Sequence, residues 1–321
     1  MTLALILVRW LHLSASILLA SLFLFAATIL RPGARNSSSG IGRLLDTIQR
    51  LTGRTALWTL SIAFISWLAW SWLVASTMTG DDLIECLQSG DWLTVLTGTQ
   101  FGHIWLFRVI VSLVFGIFLW VVARRPGKQS SSQITLAGLS VIELFSLAWV
   151  GHGTASPGPF GIVHLSGDAI HLLTAAFWPG ALVPLAVFLL LMLKSDQVDT
   201  IALVAQVVRR FSASSLIAVA VLATTGLLNS AFMLGSLPAL LATLYGRILV
   251  SKLILFSAMI GFGARNLLVL KPMIAVDLPV ANLAQKSPVR LLLRNVLWEI
   301  GLGTIVILIV ASLGITPPPM P

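Results

Sequence analysis

The amino-acid sequence predicts an all-α integral membrane protein, a bundle of eight transmembrane helices with both termini periplasmic, and three observations carry that prediction. Hydrophobic residues make up 57% of the chain and charged residues only 10%, a balance in which a water-soluble domain could not cover its surface with polar groups. The apolar residues gather into eight runs, each near the roughly 20 residues that cross a hydrocarbon core about 30 Å thick. Lysine and arginine sit almost entirely in alternate connections between those runs, the asymmetry that fixes orientation in a membrane. Residues 1–321 are read as one membrane domain, with the first four spans in 1–151 and the last four in 164–318.

The first run, residues 3–30, has no basic residue before its core and is longer than a signal-peptide hydrophobic region, so it is expected to be a retained span. Arg31, Arg35, Arg43, Arg50 and Arg54 follow it and mark its far end as cytoplasmic. The second run, 51–75, returns to an acidic connection with Asp81, Asp82, Glu85 and Asp91, and the third, 104–123, ends on Arg124, Arg125 and Lys128. The fourth run, 134–151, leads into a Gly- and Pro-rich segment before the fifth, 164–193, which closes on Lys194. Pro179 and Pro184, just after Trp178, are expected to kink the fifth span and free carbonyls near the midplane. Arg209 and Arg210 precede the sixth run, 211–233, and Arg265, Lys271, Lys286, Arg290 and Arg294 cluster between the seventh, 247–270, and the body of the eighth, 291–314. In total 16 of the 20 basic residues fall on the cytoplasmic side. The runs are too long and too uniformly apolar for barrel strands, and a helix satisfies every backbone amide within its own segment.

The net charge of +9 therefore serves topology, and the lipid bilayer rather than nucleic acid is the expected surroundings. One cysteine, Cys86, excludes an internal disulfide and any multi-thiolate metal site. No phosphate-binding glycine loop appears and no Ser or Cys has an evident base, so no catalytic activity is expected.

Under this topology all five histidines fall at the outer face. His12 lies in the outer turns of span one, His103 at the mouth of span three, His152 after span four, His164 at the start of span five and His171 two turns deeper. Ionisable groups inside a membrane are costly, and imidazoles gathered at one depth suit a metal or haem site. The densest segment runs from His152 through a tight Gly/Pro hairpin, expected to be non-helical, to His164, Asp168 and His171. The last three share one helix face, but about 10 Å of rise separates His164 from His171, so adjacent helices must complete any site. Asp168 is expected either to ligate or to orient an imidazole. Met78, Met233 and Met320 are candidate outer thioethers, and His103 fits a simple interfacial role. Glu143, Arg108, Lys252 and Glu299, the last with Asn295 one turn away, lie within spans and should face the interior, as interhelical ion pairs or as an ion or proton path.

His171-Leu-Leu-Thr-Ala-Ala-Phe-Trp178-Pro-Gly180, Thr225-Gly226-Leu-Leu-Asn229, Tyr245-Gly246-Arg247 with Lys252, Asn266, and Arg294 with Glu299 together resemble the copper resistance protein D (CopD) family. The resemblance covers residues 164–318 most closely. It implies an eight-span inner-membrane protein that accepts copper at its outer face from a separate periplasmic CopC-like partner and moves it inward. The chain departs from the family at Trp178-Pro-Gly180-Ala181, where a second glycine is common, so the backbone approach at that bend is expected to differ.

The leading expectation is thus copper held by His12, His152, His164 and His171, with Asp168 in support. The alternatives are a haem b electron-transfer protein using His12 and His171 as axial ligands, and a structural or assembly subunit without metal. Since ligation needs neutral imidazole, copper affinity measured by competition titration is expected to fall as pH drops below about 6.

Overall fold

The computed structural model describes residues 1–34, 42–124, 129–150, 158–195, 200–274 and 286–319. Among them, eight helices are long and apolar enough to cross a membrane: Thr2–Gly33 (α1), Gly42–Thr79 (α2), Gln100–Ala123 (α3), Ser132–Val150 (α4), Gly161–Lys194 (α5), Thr200–Leu234 (α6), Leu244–Ile274 (α7) and Lys286–Leu313 (α8). No strand occurs among the described residues. Each helix matches one predicted run, and eight crossings return the chain to the end of the bundle on which it began, here called the terminal end.

The hairpin expected before α5 is corrected in part. Helix begins at Gly158, ahead of His164, because Pro159 falls in the first turn, where a missing N–H breaks no helical bond.

α1 is the central helix and packs against α2, α4, α5 and α8. Its Leu19, Leu22 and Phe23 meet Phe115 and Leu119 of α3 and Leu136 and Leu144 of α4 in one core, where Phe23 and Phe115 stand edge to face at 5.5 Å. A second core joins Trp178, Leu185 and Leu189 of α5 to Phe211 and Leu222 of α6, Met259 of α7 and Leu292 and Val296 of α8. The two halves repeat one scheme: in α1–α4 and again in α5–α8, the first helix packs on the second and the fourth, and the third packs on the fourth. Large apolar side chains such as Trp58, Ile65, Ile117, Ile217, Leu227 and Trp298 point outward, as helices bathed in acyl chains require.

α3 and α7 open alike. Thr99 and Thr243 each cap their helix by accepting from the backbone N–H of Gly102 and Gly246, both at 3.0 Å. A short helix precedes each cap, Asp91–Gly98 and Ala239–Ala242. It lies so close that a Cβ at Gly102 would collide with the Leu96 carbonyl and one at Gly246 with the Ala239 carbonyl.

α5 loosens into a π turn over Ala176–Gly180, with Pro179 inside it, where the kink is expected. Pro184 lies in the first turn of the resumed helix Leu182–Lys194 and breaks nothing further. Here α5 meets α1 with no side chain of its own: a Cβ on Gly180 would collide with Ser21 Oγ and stand 2.8 Å from Ile17 Cγ2. Gly180→Ala is expected to destabilise the bundle by about 1–3 kcal/mol through overpacking, read as a lower thermal unfolding midpoint of the detergent-purified protein.

Candidate functional site

Two polar clusters that contain histidines lie within the helices, one in each half. The first is built on Arg108 of α3, 1% exposed. Its Nη2 pairs with Glu143 Oε1 of α4 at 2.9 Å, and its Nη1 donates to the Glu143 carbonyl at 2.6 Å and to Ser146 Oγ at 2.5 Å. Nη2 also lies 2.9 Å from His12 Nε2. A guanidinium only donates, so Nε2 is the accepting nitrogen. The proton then sits on His12 Nδ1, which donates to the Ala63 carbonyl of α2 at 3.0 Å. Trp70 and Trp105 stand edge-on to the ring at 5.5 and 5.1 Å. Both nitrogens of His12 are therefore committed to protein partners.

The second cluster lines a cavity of about 200 Å³ toward the terminal end, walled mainly by α5–α8 with α1, Trp70 of α2 and Leu147, Ala148 and Val150 of α4. His164, Asp168 and His171 of α5, Asn229 and Met233 of α6, and Tyr245 and Lys252 of α7 face it, with Arg9 of α1. Thr225 donates its hydroxyl proton to the Val221 carbonyl at 2.7 Å, so its Oγ1 accepts from His171 Nδ1 at 2.8 Å. That bond fixes the tautomer and leaves the lone pair of His171 on Nε2, the arrangement in which a ligating imidazole is oriented by a partner behind it. Asp168 Oδ1 accepts from Asn229 Nδ2 at 2.5 Å, and Oδ2 lies 3.9 Å from His164 Nε2. His164 stacks on Phe232 at 4.8 Å. The Arg9 guanidinium rests 4.6 Å over the Trp70 ring. Arg9 and Lys252 against Asp168 give the cavity an excess of positive charge.

The structure thus brings together His164, Asp168, His171 and Met233 and sets His12 apart. The expectation that His12 joins His171 around a metal, or brackets a haem with it, is corrected: Arg108 holds the His12 lone pair, and tryptophans enclose the ring. His152 and Met320 lie outside the described residues. His103 is exposed, its Nε2 2.7 Å from the Thr97 carbonyl, and Met78 is exposed as well. Among the described residues no three His, Cys, Asp or Glu side chains converge as a metal site; imidazole and thioether from α5 and α6 are the soft donors at hand. Arg108 and Glu143 form the interhelical ion pair foreseen for them, whereas Lys252 and Glu299 do not pair with each other.

Arg9 as a cavity-lining cation and Ser66 as a neighbour of His12 escaped the sequence reading. A signal for the comparison of the two clusters was present, however. Thr99-x-Phe101-Gly102-x-Ile104 and Thr243-x-Tyr245-Gly246-x-Ile248 are followed, nine residues after each threonine, by Arg108 and Lys252.

Fold and site define a multi-pass helical membrane protein with a cavity into which two histidines of its fifth span face. Residues 1–162 match the family model of the copper resistance protein D-like N-terminal domain, and residues 205–313 match that of copper resistance protein D. The chain belongs to the copper resistance protein D family, whose members include copper resistance and copper transport proteins. It is 29% identical over 309 residues to copper resistance protein D of Pseudomonas syringae pv. tomato, covering 94% of this chain and 93% of that one. It is 30% identical over 259 residues to inner membrane protein YebZ of Escherichia coli strain K12, covering 81% and 82%. Copper transport protein CutJ of Bacillus subtilis strain 168 is 30% identical over 184 residues, 57% of this chain and 33% of that protein. No solved structure gives a significant match. With eight apolar helices and these relatives, the chain is a multi-pass protein of the bacterial inner membrane.

Removing one partner of a buried ion pair strands the other. Glu143→Gln is expected to destabilise the protein by about 3–5 kcal/mol, measured by thermal unfolding, and the Glu143→Leu/Arg108→Met double variant to recover part of that loss.

Proposed function

We propose that this chain accepts copper at its terminal end, holds it as Cu(I) in the cavity of α5–α8, and passes it toward the cytoplasm. The observation that carries this reading is His171, whose ring is fixed by Thr225 with the Nε2 lone pair left for a ligand at a cavity that His164, Asp168 and Met233 also line. His164 and Met233 are the further soft donors, and Asp168, held by Asn229, supplies the negative charge. The charge balance favours the monovalent ion: a cation entering beside Arg9 and Lys252 is repelled in proportion to its own charge, and imidazole and thioether suit Cu(I). The same repulsion keeps the ion loosely held, which suits a carrier more than a store.

The relatives named for copper resistance and copper transport support copper as the cargo. The distribution of lysine and arginine supports the terminal end as periplasmic, with a separate CopC-like protein as the proposed donor. His152 remains a candidate fourth donor by its place in the sequence.

Metal analysis of the purified, reduced protein tests the reading. The His164→Ala/His171→Ala variant is expected to lose its copper, and Thr225→Val to bind it about 10–100-fold more weakly. His12→Ala should keep full copper stoichiometry while melting at lower temperature. Unchanged copper content in the His164/His171 variant would reject the site.

A further inference from the structure

A second cavity, of about 180 Å³, lies among α5–α8 toward the opposite end of the bundle, and Glu299 of α8 lines it. Glu299 is 1% exposed, and none of the ion pairs among the described residues involves it. Its Oε1 accepts from Asn266 Nδ2 at 2.6 Å, Asn266 Oδ1 accepts from Asn295 Nδ2 at 2.9 Å, and Asn295 Oδ1 accepts from Arg265 Nη1 at 3.5 Å. The guanidinium can only donate, which sets the amide of Asn295 and through it that of Asn266. Every donor in this relay therefore points at Glu299, while the one cation stands two amides away.

The other carboxylate oxygen faces free space. Gly263 of α7 presents no side chain toward Oε2, which lies 3.9 Å from where its Cβ would be. Across the cavity, Ser215 Oγ of α6 is buried without a hydrogen-bond partner. α5 contributes Trp178, α6 Ser212 and Ser215, and α7 Asn266; among the described residues no charged side chain but Glu299 lines the space. A carboxylate inside a span, supported by amides but touched by no counter-ion, is costly to keep ionised, and one proton relieves the cost.

We infer that Glu299 is a proton-exchange site. Hydronium entering the cavity gives its proton to Oε2: one hydronium O–H bond breaks, leaving water, as the carboxyl O–H bond forms, and the reverse step returns the proton to water. Trp178, which lines this cavity, meets Phe256 edge to face at 5.8 Å and shares a core with the buried Met259. Lys252, Phe256, Met259, Gly263 and Asn266 recur on one face of α7, about 21 Å of helix that links this cavity to the one around His171. Coupling of proton exchange to copper movement rests on the copper reading above; the proton site does not.

Infrared difference spectra of the full-length protein in nanodiscs, taken across a pH series, test it. A protonated-carboxyl C=O band that titrates in the wild type is expected to vanish in Glu299→Gln, to persist in Asp168→Asn, and to persist at a shifted frequency in Glu299→Asp. In copper-loaded proteoliposomes, an imposed pH gradient should change the rate of copper movement in the wild type and lose that effect in Glu299→Gln, with copper binding retained. A band unchanged in Glu299→Gln, or absent from the wild type at every pH, overturns the proposal. Failure of the wild type to bind copper overturns the copper reading and leaves the infrared result standing.

Discussion

A hydrocarbon interior offers no water to a charge, so each ionised group must find its partners in the protein, and the guanidinium of Arg108 organises the first half of this molecule on that condition. It reaches Glu143 and Ser146 on α4 and His12 on α1, and through His12 the carbonyl of Ala63 on α2. Four helices are thereby held in one register by a single side chain. The clamp also sets the rotation of α1. With His12 held against α2 and α3, Arg9, one turn away on the same side of α1, rests on Trp70 at the edge of the second cavity, and Leu13 lines that cavity too. The shape of the candidate copper site thus depends on an ion pair that takes no part in it.

The two halves are variations on one plan. Each opens its third span with a threonine cap, an aromatic residue and a glycine pressed on a carbonyl, and each places a cation nine residues after the cap. In the first half that cation meets a carboxylate and occupies the histidine lone pair. In the second, Lys252 has no carboxylate within ion-pair distance among the described residues, and His171 is held from behind by a hydroxyl, so its lone pair faces space. One arrangement is closed on itself and gives rigidity; the other is left unfinished in a way that a ligand completes.

What the sequence reveals and what it hides divide along physical lines. Long apolar runs and alternating basic loops announce eight spans because the bilayer imposes length and the positive-inside tendency imposes order. Pro179 announces the bend, and the spacing of His164, Asp168 and His171 puts them on one face. The direction in which α1 faces is another matter. His12 and His171 are both histidines two to three turns inside an apolar span, each followed by leucine, and nothing local separates them. The distinction is made by Arg108, which lies 96 residues from His12 in the chain, and by Thr225, 54 residues from His171. The start of α5 was hidden for a different reason: Gly and Pro read as breakers unless one knows that Pro159 falls in the first turn.

The bare crossing of α1 and α5 at Gly180 and Ser21 separates the two cavities along α5, with His171 on one side and Trp178, Pro179 and the resumed helix on the other. Because α5 offers only a hydrogen where Ser21 and Ile17 of α1 press against it, any larger residue at position 180 would push the two helices apart at the level that divides one cavity from the other.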